Sequence, residues 1–424
     1  MPTYLSQREH LDPVNMAFAI FAFVAASGFF NTFGMITVAF AIVYLGAALL
    51  IMRLFVHSLT HPRIRLAPWS LPIVFVVSAF PLLSLFSTFW SVDAAETFRN
   101  AIQLCFTCVF GVLIGRTLGL TGAFYALTGA MFICVIASVG NIFVEIVPAW
   151  SQDDFVGARR YMVGVYSQKN PFGHVIFLFA WGVIYIGLEN GRRGLVLGLI
   201  AALTLSPLVK ASGSSTASIL YVLVLTMPLF HLVLSGTRSL LLTTLLATTG
   251  LILILVILGF MGMSITDLVF GAFGKDATLT GRTAIWDVAF EQFRGDPFIG
   301  IGYQVFWSAP AFAPLVSLVQ GTVVDGVNTF HNAFIEAAIG TGIIGVIFLA
   351  MLPICVITLA LRRLASAPTP AATGVFYLSV LLTTRTFVEG SLAFQHQIDF
   401  LTFTTLAIAF ASPAVCKSDE KASQ

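Results

Sequence analysis

The chain has 424 residues, of which 58% are hydrophobic and only 9% are charged, and its formal net charge is +2. Soluble globular chains carry roughly 25% charged residues, so this composition excludes several independent water-exposed domains. Disorder is also excluded, because disordered chains are polar and poor in aromatic residues, whereas this chain has 40 Phe. We therefore expect an all-α integral membrane protein that forms a single polytopic domain over residues 1–424.

The apolar residues fall into blocks that are long enough to cross a bilayer, which takes about 20 residues of helix. The blocks lack the period-2 alternation of a membrane β-barrel, so each of them predicts a helix. In chain order we expect about twelve transmembrane helices, at residues 15–31, 34–56, 70–89, 98–118, 122–147, 172–189, 194–210, 216–234, 238–262, 330–361, 372–388 and 397–414.

Lys and Arg are distributed unevenly between the predicted loops, and cytoplasmic loops normally carry the excess of these cations. With the N-terminus inside, the inner segments hold twelve of the 21 cations and five of the 19 acids. The inner side then carries +7 and the outer side −5, which together give the net charge of +2. This asymmetry predicts an even number of crossings with both termini in the cytoplasm.

Two outer loops are longer than the others, and loops of more than about 15 residues are usually functional or disordered. One covers residues 148–171, and the other, at 263–329 between the ninth and tenth blocks, is the longest polar stretch of the chain. Within it, the segment 281–294 has apolar residues at helical spacing, with Thr280 as a possible N-cap. We expect an amphipathic helix there, lying over the membrane face.

The ionisable residues are concentrated at the outer helix ends and outer loops, whereas transporters place such groups near the middle of their helices. This distribution favours a protein that works at the outer interface, on a substrate whose lipid tail stays in the membrane. A carrier of neutral or lipid solutes is the alternative. There is no basic stripe with interleaved aromatic residues, so we expect no nucleic-acid partner.

Six motifs follow one another along the chain: WSVDAAETFRNAIQL, YSQKNPFG, KASGSSTAS, GRTAIW, GDPFIGIG and HNAFIEAAIGTGIIG. In this order they resemble the O-antigen ligase/polymerase superfamily over about residues 85–350, and its exopolysaccharide-polymerase branch in particular. The resemblance implies a bacterial inner-membrane glycosyltransferase of the GT-C type, which needs neither metal nor cofactor. Such an enzyme transfers glycan from undecaprenyl pyrophosphate on the periplasmic face, with inversion. The implied partners are lipid-linked oligosaccharide and membrane lipid, together with a flippase and a chain-length regulator.

Glycan transfer from a polyprenyl pyrophosphate needs a base for the acceptor hydroxyl and cations for the departing pyrophosphate. The planar Arg fork binds phosphate oxygens at two points, and His ionises near the working pH. Arg282 and His331 match the Arg and His that the family uses, so we assign them pyrophosphate binding and acceptor activation. We expect the two side chains to face one water-accessible pocket. The alternatives are a solvated or snorkelling cation at Arg282 and a backbone-bonded helix-entry residue at His331.

Further substrate-binding candidates are polar residues of the outer loops and helix ends: Arg159, Arg160, Lys169, Asn170, Lys210 and Arg294. Lys169 and Asn170 begin the sixth helix, whose N-terminus can accept an anion, with a local cap as the alternative. The arginine pair could hold pyrophosphate or an acidic sugar, or be a solvated pair. Related ligases often have an Arg in the Ser-rich stretch after Lys210, and this chain has none. That departure favours a polymerase over an O-antigen ligase that transfers glycan to lipid A core.

Two patterns near the C-terminus have simple structural interpretations. The glycines at positions 340, 342 and 345 lie within the tenth block, where they predict close helix packing. Arg385 and Glu389 lie between the last two predicted helices, where they could form an ion pair.

Overall fold

The fold is given by a computed structural model, which describes residues 12–60, 70–153, 159–236, 282–322 and 328–411. In these ranges the chain is mainly α-helical, with one antiparallel pair of short strands, β1 (Trp150–Asp153) and β2 (Arg159–Met162). The helices are α1 (Pro13–Ala26), α2 (Ile36–Thr60), α3 (Ser70–Phe86), α4 (Ala94–Val144), α5 (Lys169–Glu189), α6 (Gly191–Leu203), α7 (Ser206–Ser212), α8 (Ser215–Leu225), α9 (Met227–Gly236), α10 (Arg282–Gly295), α11 (Ala313–Thr322), α12 (Ala333–Ser366), α13 (Pro370–Thr386) and α14 (Ile398–Ala411). The predicted all-α class is confirmed.

Seven helical stretches in the described ranges are long and apolar enough to cross a membrane. Two shorter apolar helices, Pro13–Ala26 and Ile398–Phe410, accompany them. The predicted block at 238–262 and the predicted N-cap Thr280 lie outside the described residues. The chain is thus an integral membrane protein by the composition of its helices, while the number of twelve crossings stays a prediction.

Two predicted blocks each contain a local break. The block at 194–210 is divided between α6 and α7, and the block at 216–234 between α8 and α9. In each case a proline, Pro207 or Pro228, is the second residue of the following helix. Proline has no N–H to continue the preceding helix, so the chain bends there. Both candidate spans, Gly191–Ser212 and Ser215–Val233, continue through the bend.

The two longest helices are each interrupted at a single glycine. Gly119 in α4 has φ 60° and ψ −164°, and Gly342 in α12 has φ 67° and ψ −167°. Only glycine occupies this backbone region without strain. The break at Gly119 coincides with the gap between the predicted blocks 98–118 and 122–147, whereas the break at Gly342 falls inside one predicted block.

The opened turn at Gly342 receives a segment of turns and bends, residues 297–303, which we call the strap. Three backbone hydrogen bonds join the two: Ile301 N to Ile339 O (3.0 Å), Gly302 N to Gly340 O (3.0 Å) and Ile343 N to Pro297 O (2.9 Å). A Cβ atom at Gly342 would overlap the carbonyl group of Phe298. The expected close packing of helices at Gly340 and Gly342 is therefore wrong, because these glycines allow close approach of the irregular strap rather than of another helix.

The described chain divides into two compact units. The first consists of Met1–Ser78, Leu104–Ala217 and His396–Gln424, and the second of Ala79–Gln103 and Ser218–Gln395. In the first unit α5 packs along α6, and α14 lies close to α4 at Gly111. In the second unit α12 packs against both α13 and α10.

Helix α10 is the amphipathic helix predicted over 281–294. Its residues Ile285 and Ala289 are buried in an aromatic cluster within the second unit, formed by Phe306, Trp307, Phe312 and Phe330. Protein thus covers the apolar face at Ile285 and Ala289, and the position of this helix over the membrane face stays a prediction. Phe290, on the same predicted face, remains 53% exposed.

Candidate active site

His331 lies in a turn immediately before α12. It has φ 53°, a left-handed conformation that residues other than glycine rarely adopt. The next residue, Asn332, is the N-cap of α12, and its Oδ1 accepts hydrogen bonds from the backbone N–H groups of Phe334 (2.9 Å) and Ile335 (3.2 Å). Because α12 begins directly after this cap, the imidazole of His331 stands at the N-terminal entrance of the helix, as the sequence predicted.

The imidazole of His331 faces a carboxylate. Its Nδ1 lies 3.5 Å from Oε2 of Glu389, and the two side chains are 23% and 12% exposed. A carboxylate in this position can accept a hydrogen bond from Nδ1–H and so fix the tautomer and orientation of the ring. The sequence pointed to Glu389 only as a partner of Arg385, whose guanidinium donates a hydrogen bond to Ser391 Oγ. No local spacing indicates the contact with His331, because the two residues are 58 positions apart.

A second carboxylate lies under the same turn. Glu336 is buried in the first turn of α12, and its Oε1 accepts hydrogen bonds from Thr329 Oγ1 (2.7 Å) and Phe330 N (2.6 Å). Thr329 Oγ1 in turn accepts the backbone N–H of His331 (3.1 Å). Sequence reasoning assigned Glu336 no role, although an acidic residue inside an apolar block is itself a signal of a specific function.

Helix α10 starts beside this turn. Its first residue is Arg282, whose side chain lies outside the described atoms. Trp286 is one helical turn further along the same side of the helix. The indole Nε1 of Trp286 donates a 2.7 Å hydrogen bond to the carbonyl of Phe330, the residue before His331. The structure therefore brings the beginning of α10 next to the His331 turn, and the convergence of the two predicted catalytic side chains stays a prediction.

Arg294 occupies the last turn of the same helix, and its side chain is 73% exposed. It forms an ion pair with Glu291, three residues earlier and equally exposed. Its predicted contact with substrate stays a prediction.

Several of the predicted cations and their polar neighbours lie together in the first unit. Lys169 and Asn170 are the first two residues of α5. The Lys169 ammonium lies 4.5 Å above the ring of Tyr161, and Asn170 Oδ1 accepts a hydrogen bond from Ser214 Oγ (3.0 Å). A Cβ at Gly213 would lie 3.4 Å from Tyr161 Cβ, so the Ser-rich turn also contacts the strand that carries this ring.

The other predicted cations of the first unit lie on α7 and on β2. Lys210 is exposed in the last turn of α7, which precedes the Ser-rich turn. Arg160 is exposed on β2, with its guanidinium 5.9 Å from the centre of the Trp150 ring. Arg159 begins β2 and is paired in register with Asp153 of β1.

The described groups therefore offer acid–base chemistry in the second unit and anion binding in the first. An imidazole that faces a carboxylate can accept a proton from a hydroxyl group. Ammonium, guanidinium and helix N-terminal N–H groups bind phosphate oxygens. Among the residues that the structure describes, no group of three or more His, Cys, Asp and Glu side chains is arranged to hold a metal ion.

Two comparisons with known proteins show what the chain is similar to. A family model described as O-antigen ligase matches residues 179–350, which run from within α5 into α12 and include Arg282, His331 and Glu336. The chain is also 29% identical over 340 residues to the exopolysaccharide production protein ExoQ of Rhizobium meliloti (strain 1021), covering 78% of this chain and 75% of that protein. The resemblance recognised in the sequence is thus confirmed: the chain is similar to the O-antigen ligase family over residues 179–350 and to an exopolysaccharide production protein over most of its length.

Proposed function

We propose that this protein is an inner-membrane glycosyltransferase that polymerises undecaprenyl-pyrophosphate-linked repeat units of an exopolysaccharide or O-antigen on the periplasmic face. The observation that carries the proposal is the His331 turn, where an imidazole faces the Glu389 carboxylate beside the first turn of the Arg282 helix. In the proposed topology both termini are cytoplasmic and the long loop with α10 is periplasmic.

The proposed reaction is a single metal-independent displacement with inversion. His331 accepts the proton of the acceptor hydroxyl while the hydroxyl oxygen forms a bond to the anomeric carbon of the donor glycan. The bond from that carbon to the phosphate oxygen breaks on the opposite side, and its electron pair leaves with undecaprenyl pyrophosphate. Arg282 stabilises the departing charge through two-point hydrogen bonding. Glu389 aligns the imidazole and stabilises the imidazolium, which is the role of the carboxylate in catalytic triads.

Four cations of the first unit and the amide of Asn170 are proposed to bind the phosphates or acidic sugars of the lipid-linked substrate. The cations are Arg159, Arg160, Lys169 and Lys210. Support comes from the position of Lys169 and Asn170 at the start of α5, because a helix N-terminus carries partial positive charge and attracts anions. Arg294 is proposed as a peripheral cation that attracts the charged substrate, in keeping with its exposure.

A ligase that uses the same donor and transfers to lipid A core is the second candidate. The similarity to an exopolysaccharide production protein favours the polymerase. The Ser-rich turn without an arginine favours it as well. A knockout that loses long polymer but keeps normal lipopolysaccharide supports the polymerase, and unligated lipid-linked O-chain supports the ligase. A precursor transporter is the third candidate, and accumulation of repeat units at the cytoplasmic leaflet in the knockout would support it.

The direct test is reconstitution of the purified protein in liposomes with a lipid-linked repeat unit and a metal chelator. A ladder of polymer products supports the proposed reaction. The absence of a ladder, with transfer only when lipid A core is added, would replace the polymerase with the ligase.

Two variants test the assigned residues in the same assay. H331A and R282A are each expected to lower kcat by at least about 100-fold, since a general base contributes roughly 10²–10⁴ and one transition-state donor contributes similarly. Arg99 provides the matched control. Within the residues that the structure describes, its exposed guanidinium forms an ion pair with Glu96, three residues earlier on the same helix. R99A should retain normal activity, and an H331A protein that made polymer of normal length would remove the assignment.

A further inference from the structure

We propose that Trp286 and Glu336 are positioning residues that hold His331 in its working orientation through the peptide groups of Phe330. The inference rests on the proposed catalytic function of His331 and extends it to residues that do not touch the substrate.

Both backbone polar atoms of Phe330 are bound by side chains from two different helices. Its N–H donates to Glu336 Oε1 of α12 (2.6 Å), and its carbonyl accepts from Trp286 Nε1 of α10 (2.7 Å). The bond to Glu336 is buried, so water does not compete with it, whereas the bond to Trp286 is part-buried. One residue is therefore held from both sides directly before the proposed base.

A third bond extends this restraint to His331 itself. Thr329 Oγ1 donates to Glu336 Oε1 (2.7 Å) and accepts the backbone N–H of His331 (3.1 Å). The left-handed φ of His331 is an unfavourable conformation for a side chain with a Cβ. Such a conformation persists only when surrounding contacts impose it, and the bonds to Glu336 and Trp286 are contacts that can do so.

The orientation of the imidazole depends on this restraint. Its Nδ1 lies 3.5 Å from Glu389 Oε2, at the outer limit of a hydrogen bond, so a small rotation of the preceding peptide breaks the contact. The Trp286 bond also joins α10, one helical turn after Arg282, to the same peptide. Loss of this bond would disturb the base and the pyrophosphate-binding cation together.

The first measurement is steady-state kinetics of W286F, which removes the indole N–H and keeps an aromatic ring. We expect kcat to fall about 10- to 100-fold, the range that small misplacements of catalytic groups produce, with KM within about threefold of wild type. Trp90 supplies the matched control, because its Nε1 donates to a different carbonyl, that of Ile299 in the strap (3.0 Å). W90F should keep the wild-type kcat, and equal losses in both variants would overturn the inference.

Glu336 provides a second, independent variant pair. In E336Q the side-chain carbonyl can still accept both hydrogen bonds, so kcat should stay within about threefold of wild type. E336L keeps a similar volume but accepts neither bond, and it should lose activity as W286F does. If either Glu336 variant fails to fold, as judged by size-exclusion chromatography, W286F and its W90F control decide the question. Equal activities of folded E336Q and E336L would contradict the proposed restraint.

A double-mutant cycle separates positioning from general destabilisation. If Trp286 acts by aligning His331 with Glu389, W286F should add less than about threefold to the loss already caused by E389Q. Independent defects would multiply, and that result would overturn the inference. H331A distinguishes the two proposals: full activity of H331A removes the proposed function, whereas an inactive H331A with multiplicative losses removes only the positioning roles.

Discussion

Replacement of Gly342 with alanine should strongly destabilise the fold. The backbone of Gly342, at φ 67° and ψ −167°, is strained for any residue with a Cβ. The added methyl group would also overlap the carbonyl of Phe298, which belongs to the strap backbone and cannot rotate away as a side-chain end would. The strap therefore has to move away from α12.

The size of the effect follows from these two contributions. The backbone strain costs about 1–3 kcal/mol. Displacement of the strap breaks up to three backbone hydrogen bonds, at Ile301, Gly302 and Ile343, each contributing about 1 kcal/mol. The expected loss is about 4–6 kcal/mol, a large part of the roughly 5–15 kcal/mol by which folded proteins are stable.

Two other glycines separate the contributions. Gly119 has nearly the same backbone conformation, with nothing within 4 Å of its hypothetical Cβ, so G119A should show only the strain of about 1–3 kcal/mol. Gly295, at the end of α10, has open space and no left-handed backbone, so G295A should change stability by less than about 1 kcal/mol. Thermal unfolding in detergent, followed by tryptophan fluorescence, ranks the three. A G342A protein no less stable than G119A would refute the reasoning about the strap.

Three further predictions concern local groups. Burial lowers the pKa of His396 from its ordinary 6.5 to about 4, so between these pH values the unfolded chain binds a proton that the fold excludes. Stability should therefore fall by up to about 3 kcal/mol as the pH drops from 6.5 to 4, and H396N, which tolerates the φ of 59°, should flatten the pH dependence of the unfolding midpoint. R294A should raise KM for the lipid-linked donor less than about threefold, and only at low salt, because dissolved ions screen an exposed cation at high salt. A rise in KM that persists at high salt would indicate direct contact with the donor. N332A should lose about 1–2 kcal/mol in thermal unfolding, because Asn332 caps α12, whereas N332D keeps the cap and should lose less.

Local sequence patterns were sufficient for much of the helical structure. The spacing of apolar residues over 281–294 predicted α10, which the structure places at Arg282–Gly295. The order of motifs predicted that His331 stands at the entrance of a long helix, and Asn332 caps that helix. These features depend on residues within a few positions of one another.

The partners of the candidate site could not be predicted in the same way. Glu389 faces His331 across 58 residues, and Trp286 binds the carbonyl of Phe330 across 44. No periodicity links such pairs, because their contact depends on how α10, α12 and the segment after α13 pack. The same holds for Gly342, because the sequence around it is that of an ordinary apolar helix. Its break is explained only by the contact with the strap in the tertiary structure.

Composition and periodicity alone determine that this chain enters a membrane as helices, since partition into lipid and helix formation depend on each side chain and its near neighbours. The order of short motifs along the chain was enough to indicate the superfamily. Packing between distant segments decided which carboxylate faces the imidazole and how the peptide before it is held. It also decided where the longest helices open, because close backbone approach and strained conformations are stable only when remote contacts compensate their cost.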